Sequence, residues 1–323
     1  MRLEKSKLKK GDILLYSGSN IVDKIIKKLD KSDYNHASLY IGEGKVIEAL
    51  AKFSEGVTIR TVEESIEKSE KVIVKRLAND VDLSMVINIA NSYLDKRYGY
   101  AQIVLLAIIL ISRPHKYNNF FFKLVNKILE DASQFILLQT NGGKKAIICS
   151  ELVYRAYDEV FPEINDPYTI YIKRSMYNNQ KISVYNNNSL VSKFYGMNNY
   201  NKNTSSFIEK SNIDYIKERI NIIDENQLSI ENTWSDIKES FNGYQIKLIN
   251  NDNSISDEED KKLKTNLDRF LTAYYYSKNI NLHEKILSKD ILLFFIKDNA
   301  NFVTPGDLQY AENLSLEFIL KGE

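Results

Sequence analysis

The chain has 323 residues, enough for one large domain or two of ordinary size, and its 43% hydrophobic and 27% charged composition is globular. Lys and Arg total 44 against 43 Asp and Glu, a net charge of +1 that excludes a broad basic surface for nucleic acid. The one cysteine excludes an intrachain disulfide and any multi-cysteine zinc site, and with only three histidines no dedicated metal site or cofactor is expected.

The basic start "MRLEKSKLKKGDILLY" carries too short an apolar run for a secretory signal, so a cytoplasmic protein is expected. "GDILLY" reads as a short buried strand. "NIVDKIIKKLD" follows with Ile21, Val22, Ile25, Ile26 and Leu29 on one helical face and Lys24, Lys27 and Lys28 on a solvated one. Strands are expected at His36–Ile41, Lys45–Leu50, Val57–Thr61 and Val72–Leu77. "VDLSMVINIANSYLDKRYGY", "IVLLAIILI" and "NNFFFKLVNKILEDASQFILL" are read as helical. The run Ile103–Ile111 falls short of the ~18–20 residues that span a bilayer and is read as a buried helix; contact with a membrane surface is the weaker alternative.

Gly142 and Gly143 break the helical pattern before "KKAIICSELVYRAYDEV". After Ser175 the chain turns rich in Asn, Tyr and Ser, then polar and mainly helical from Phe207 to Asp290. The acidic run Asp257–Asp260 is read as the start of a helix, where negative charge suits the dipole, in preference to a cation site. No EF-hand, P-loop, dinucleotide or HExxH motif occurs, and no internal repeat. An apolar stretch and a Thr-Pro-Gly-Asp turn close the chain.

Cys149 opens an amphipathic helix marked by Leu152, Val153, Ala156, Tyr157 and Val160. A thiol at a helix N-terminus feels the positive dipole end, which favours thiolate. Taken alone, the residue reads better as a buried, inert cysteine. The hairpin "HASLYIGEGKVIEAL" adds partners. If Gly42-Glu43-Gly44 forms a three-residue loop, Ile41 pairs with Lys45 and Ser38 with Glu48. His36, Ser38 and Glu48 then share one face, and His36 is the diagonal neighbour of Glu48 at roughly 7–8 Å between backbones. A carboxylate on one imidazole nitrogen fixes the tautomer and leaves the other nitrogen for a thiol. A two-residue loop would send Glu48 to the opposite face. His115 and His283 lie in polar surroundings and are read as surface residues, and Glu151 as a cap of the cysteine helix.

"GDILLY", "NHASLYIG", "VIEAL", "YLDKRYGY" and "CSELVYRAY", in that order, resemble the circularly permuted papain-like hydrolases. The resemblance is to the permuted NlpC type of the YaeF/YiiX group and, more distantly, to lecithin:retinol acyltransferase. It covers about residues 8–172 and 298–318, with "TPGDL" similar to the segment that closes that fold. It implies an α+β fold: a permuted papain-like core of a small antiparallel sheet packed on helices. Residues 1–175 and 298–323 would form the catalytic domain, and 176–297 a mainly helical insertion. Cys149 would be the nucleophile, His36 its base and Glu48 the third member, with Tyr16 and Ser150 as candidates for substrate or oxyanion contact. The implied activity is a thiol-dependent hydrolase or acyltransferase on an amide or ester of a peptide, a peptidoglycan fragment or a lipid. The alternative is a catalytically silent scaffold whose helical insertion binds a protein or membrane partner.

Overall fold

A computed structural model describes residues 5–50, 56–95, 101–112, 119–140, 147–161, 166–172, 190–195, 256–277 and 303–322. His115, His283, Gly142, Gly143, the end of "YLDKRYGY" and most of the 176–297 stretch lie outside the described residues. The chain divides into two compact units: Met1–Leu105 with Ile147–Val184 and Asn299–Glu323, and Leu106–Ala146 with Tyr185–Asp298. The expected catalytic domain ran unbroken to 175, whereas here 106–146 group with the second unit.

The first unit is built on a six-stranded antiparallel sheet in the order β4-β3-β2-β1-β5-β6. Its strands are β1 (Ile13–Ser17), β2 (His36–Gly42), β3 (Lys45–Ala49), β4 (Val57–Thr61), β5 (Lys71–Leu77) and β6 (Leu314–Lys321). The central β1 is buried at every position, which is why "ILLYS" reads as a continuous apolar run with no polar alternation. One face gathers Leu14, Tyr16, Tyr40, Val46, Val72, Val74 and Leu320 beneath Val62 and Ile66 of the short helix α2 (Val62–Ile66). Thr61 caps α2 by accepting from the Glu64 N–H while Glu64 accepts from the Thr61 N–H, a T-x-x-E signal present in the sequence but not read there.

The β2–β3 hairpin keeps the expected Ser38–Glu48 pairing by another route. Lys45 pairs with Gly42, not Ile41, and the register shifts between Tyr40 and Gly42. The turn is the two residues Glu43 and Gly44, at φ 53° and 70°, so both lie in the left-handed region that a type I′ turn demands. Such a turn alone would have inverted Glu48. The extra residue, Ile41, bulges out and restores the face.

Helix α1 (Ile21–Asp30) has a capping box between Asn20 and Asp23. Its basic side is only partly a solvated face, because Lys27 Nζ donates to Ser17 Oγ and to the Gly18 carbonyl, each at 2.8 Å. Helix α3 (Ser84–Ser92) follows β5, and α4 (Ala101–Ser112) carries the buried run Ile103–Ile111. Among the described residues no helix is long and apolar enough to cross a membrane.

The closing segment lies within the first unit. "TPGDL" forms helix α9 (Pro305–Gln309), capped by Thr304 and Asp307. The buried carboxylate of Asp30 accepts from Thr304 Oγ1 and from the Gly306 N–H, both at 2.8 Å. A Cβ on Gly306 would sit 2.5 Å from that carboxylate, so the close approach requires glycine. Strand β6, which carried no strand expectation, then pairs with β5.

In the second unit, helix α5 (Asn119–Thr140) packs on helix α8 (Asp257–Ser277), with Asn266 Nδ2 donating to Asn126 Oδ1 at 2.9 Å. Asp257–Asp260 form the first turn of α8, and Ser256 caps it by accepting from the Glu259 N–H. Helix α7 (Leu190–Tyr195) is tied to α8 by a 2.6 Å ion pair between Lys193 and Asp260.

Candidate active site

Helix α6 (Cys149–Asp158) packs against β2 and starts at the nucleophile candidate. Its apolar stripe of Leu152, Val153, Ala156 and Tyr157 is buried, and the Tyr157 hydroxyl donates to the Gly11 carbonyl at the approach to β1. Glu151 accepts from the Ile148 N–H at 3.3 Å and holds Arg155 at 2.7 Å, so it works as a helix cap and brace. These anchors fix where the first turn of α6 points. That turn carries Cys149, only 4% exposed.

His36 begins β2 and reaches across to β3, where its Nε2 lies 2.8 Å from Glu48 Oε2. The Glu48 side chain is 1% exposed and that of His36 20%, so the carboxylate is buried while the ring keeps an open edge. With Nε2 occupied, Nδ1 is the nitrogen left for Cys149, which lines the same cavity and is electrostatically coupled to the ring. Burial pushes the thiol up. The opposing pull of the His36 charge, its hydrogen bond and the N–H groups of Ala37 and Ser150 is greater, and the thiol is held below its ordinary range. Burial alone would lower His36, but the thiolate and Glu48 raise it well above an ordinary histidine. Both directions favour thiolate on Cys149 and imidazolium on His36 over the neutral pair.

Tyr16 sits beside this pair, its ring centroid 5.1 Å from that of His36. Its hydroxyl accepts from Ser65 Oγ at 2.8 Å and shares a 2.6 Å hydrogen bond with Ser38 Oγ. Burial and the Glu48 charge keep it protonated. Ser150 is placed differently from the oxyanion role considered for it: its buried hydroxyl donates to the Val303 carbonyl at 2.7 Å, and only its backbone N–H faces the sulfur. The cysteine helix is thereby tied to the segment that closes the fold.

Cys149, His36, Glu48 and Tyr16 line one cavity of about 220 Å³, together with Asn20, Asp23, Asn35, Arg60 and Lys68. Several of these escaped the sequence reading. Asn35 clamps the wall by donating to Asp23 Oδ1 at 2.8 Å and accepting from the Gly18 N–H at 2.7 Å. Arg60 lies on β4 with its Nη1 3.8 Å from Glu48 Oε1. The signal for it was available, because the β3–β4 ladder pairs Glu48 with Thr58 and leaves Arg60 two residues along on the same face. Among the described residues no three His, Cys, Asp or Glu side chains gather as a metal ion would require.

Residues 7–141 match the family model described as permuted papain-like amidase enzyme, YaeF/YiiX, C92 family; the match includes His36 and Glu48 and ends before Cys149. A curated relative, the probable lipoprotein peptidase YaeF of Escherichia coli (strain K12), is 25% identical over 154 residues, 46% of this chain. The chain spans about half the length of that relative, 55% of it. A crystal structure of the metalloprotein yiiX from Escherichia coli O157:H7 is similar over 60% of this chain and 83% of that one, at 15% identity and a TM-score of 0.32. Over residues 7–141 the chain is similar to the permuted papain-like amidases of the YaeF/YiiX family, and an antiparallel sheet packed on helices, with the histidine strand ahead of the cysteine helix, is consistent with that fold.

Proposed function

We propose that this chain is a thiol-dependent hydrolase or acyltransferase that cleaves an amide or ester through an acyl-enzyme on Cys149. The observation that carries the reading is one imidazole hydrogen-bonded to a buried carboxylate, at 2.8 Å, on the wall of a cavity that also holds the chain's single thiol.

The thiolate adds to the substrate carbonyl carbon, and N–H groups at the first turn of α6 receive the oxyanion, aided by the helix dipole. As the tetrahedral species collapses, the C–N or C–O bond breaks and the leaving group takes the proton from His36. The thioester remains. Neutral His36 then removes a proton from water, or from an amine or alcohol acceptor, which attacks the thioester carbonyl. Cys149 leaves as thiolate and the imidazolium is restored. Glu48 keeps Nε2–H engaged throughout, holding the ring in the orientation both steps need.

Incubating the protein with a panel of activated esters and peptide amides, followed by intact-mass measurement, tests the proposal. One acyl group per chain on Cys149, lost with time and absent in Cys149→Ala, is expected. Turnover that persists in Cys149→Ala would sink it.

A further inference from the structure

Resting on the thiol-hydrolase reading, we infer that Arg60, assisted by Lys68, recognises a carboxylate on the substrate, so that the preferred substrates are acyl compounds bearing a free acid near the scissile bond. The inference starts from a mismatch among the charged groups lining the cavity. The acids are engaged. Glu48 holds His36 at 2.8 Å. Asp23 accepts from Asn35 Nδ2 at 2.8 Å and from the Asn20 N–H at 3.3 Å. Glu64 accepts from both the N–H and the hydroxyl of Thr61 at 2.9 Å.

The cations are engaged less fully. Among the described residues the Arg60 guanidinium makes a single hydrogen bond, from Nη2 to the Glu64 carbonyl at 3.2 Å. Its approach to Glu48 Oε1, at 3.8 Å, is too long to be a second one. Most of its five N–H donors remain available, in the planar fork that suits a carboxylate, on a side chain 28% exposed at the cavity wall. Lys68 lines the same cavity and has no ion pair among the described residues.

The buried Oε1 of Glu48 has no hydrogen-bond partner. A guanidinium 3.8 Å away steadies that charge through space while leaving its donors for another anion. An acid on the substrate would dock between Arg60 and Lys68 and bring its carbonyl toward Cys149 along the cavity.

The test uses the single cysteine as reporter. Iodoacetyl-glycine, iodoacetyl-β-alanine and iodoacetyl-γ-aminobutyrate are compared with their methyl esters as alkylators of Cys149 in the intact chain. At low salt at least one acid should react roughly tenfold faster than its ester, a preference that fades at high salt and falls severalfold in Arg60→Gln. If Arg60 only props Glu48, acid and ester slow together in Arg60→Gln, the ratio holds, and the inference fails. Fast labelling with no acid preference at any arm length overturns it alone. Slow labelling by every reagent, insensitive to His36→Ala, overturns the thiol-hydrolase reading and takes this inference with it.

Discussion

Glu48 Oε2 meets His36 Nε2 at 2.8 Å across a strand pair whose register depends on one bulged residue, Ile41. Glu48 is buried and cannot rotate into solvent, so its charge acts on the imidazole directly. Replacing it by the isosteric glutamine removes the charge and keeps the shape. In Glu48→Gln, His36 should titrate at lower pH than in the parent, read by NMR of the imidazole. Turnover should fall, but by less than the roughly 10²–10⁴-fold expected for His36→Ala.

The pH dependence follows from the two opposed shifts. Cys149 is held below an ordinary thiol and His36 above an ordinary histidine, so the ion pair fills the window between their two values. Alkylation of Cys149 should rise as pH passes the lowered thiol value and then stay level, because the thiolate persists after His36 loses its proton. Turnover should instead fall again once pH exceeds the raised His36 value, since the leaving group then lacks its acid. Two profiles that coincide on the alkaline side would contradict the assigned roles.

Ser150 makes a structural bond, not a chemical one. Its hydroxyl serves the Val303 carbonyl in a fully buried setting, so Ser150→Ala leaves that acceptor unpaired. A loss of about 1–3 kcal/mol in denaturant unfolding is expected, with Cys149 labelling largely retained. Abolished labelling in a folded Ser150→Ala chain would return the hydroxyl to the mechanism.

Two glycines should respond differently to alanine. Gly44 has φ 70° and open space around it, so Gly44→Ala pays only for the left-handed backbone, about 1–2 kcal/mol. At Gly306 the new methyl meets Asp30 Oδ2 at 2.5 Å and Ser32 Cβ at 2.8 Å, and the Asp30 clamp on the closing segment must open. Gly306→Ala should therefore be the more destabilising of the two in paired unfolding curves.

Much of the site could be read before any coordinates because its signals are local. The alternation in "HASLYIG" and "KVIEAL" puts His36 and Glu48 on one face, and the stripe after Cys149 marks the start of a helix. What escaped depends on non-local pairing. Ile41 looks like any strand residue until a two-residue turn requires a bulge. Strand β6 has its register only against β5, across more than two hundred residues of chain. Asp30 ends α1 with no hint that it binds Gly306, and the hydroxyl of Ser150 finds its acceptor only when Val303 returns. Arg60 belongs to a strand that carried no chemical signal of its own. Its role emerges from the β3–β4 ladder.

The central claim is the resting ion pair of Cys149 and His36, and one titration tests it most directly. Because Cys149 is the only cysteine, the ultraviolet absorbance difference between the parent and Cys149→Ser, followed against pH, reports a single thiolate. The account expects thiolate absorbance well below the pKa of about 8.5 of a free cysteine, and its shift toward that value in His36→Ala. A thiolate that forms only near 8.5, unmoved by His36→Ala, would contradict it.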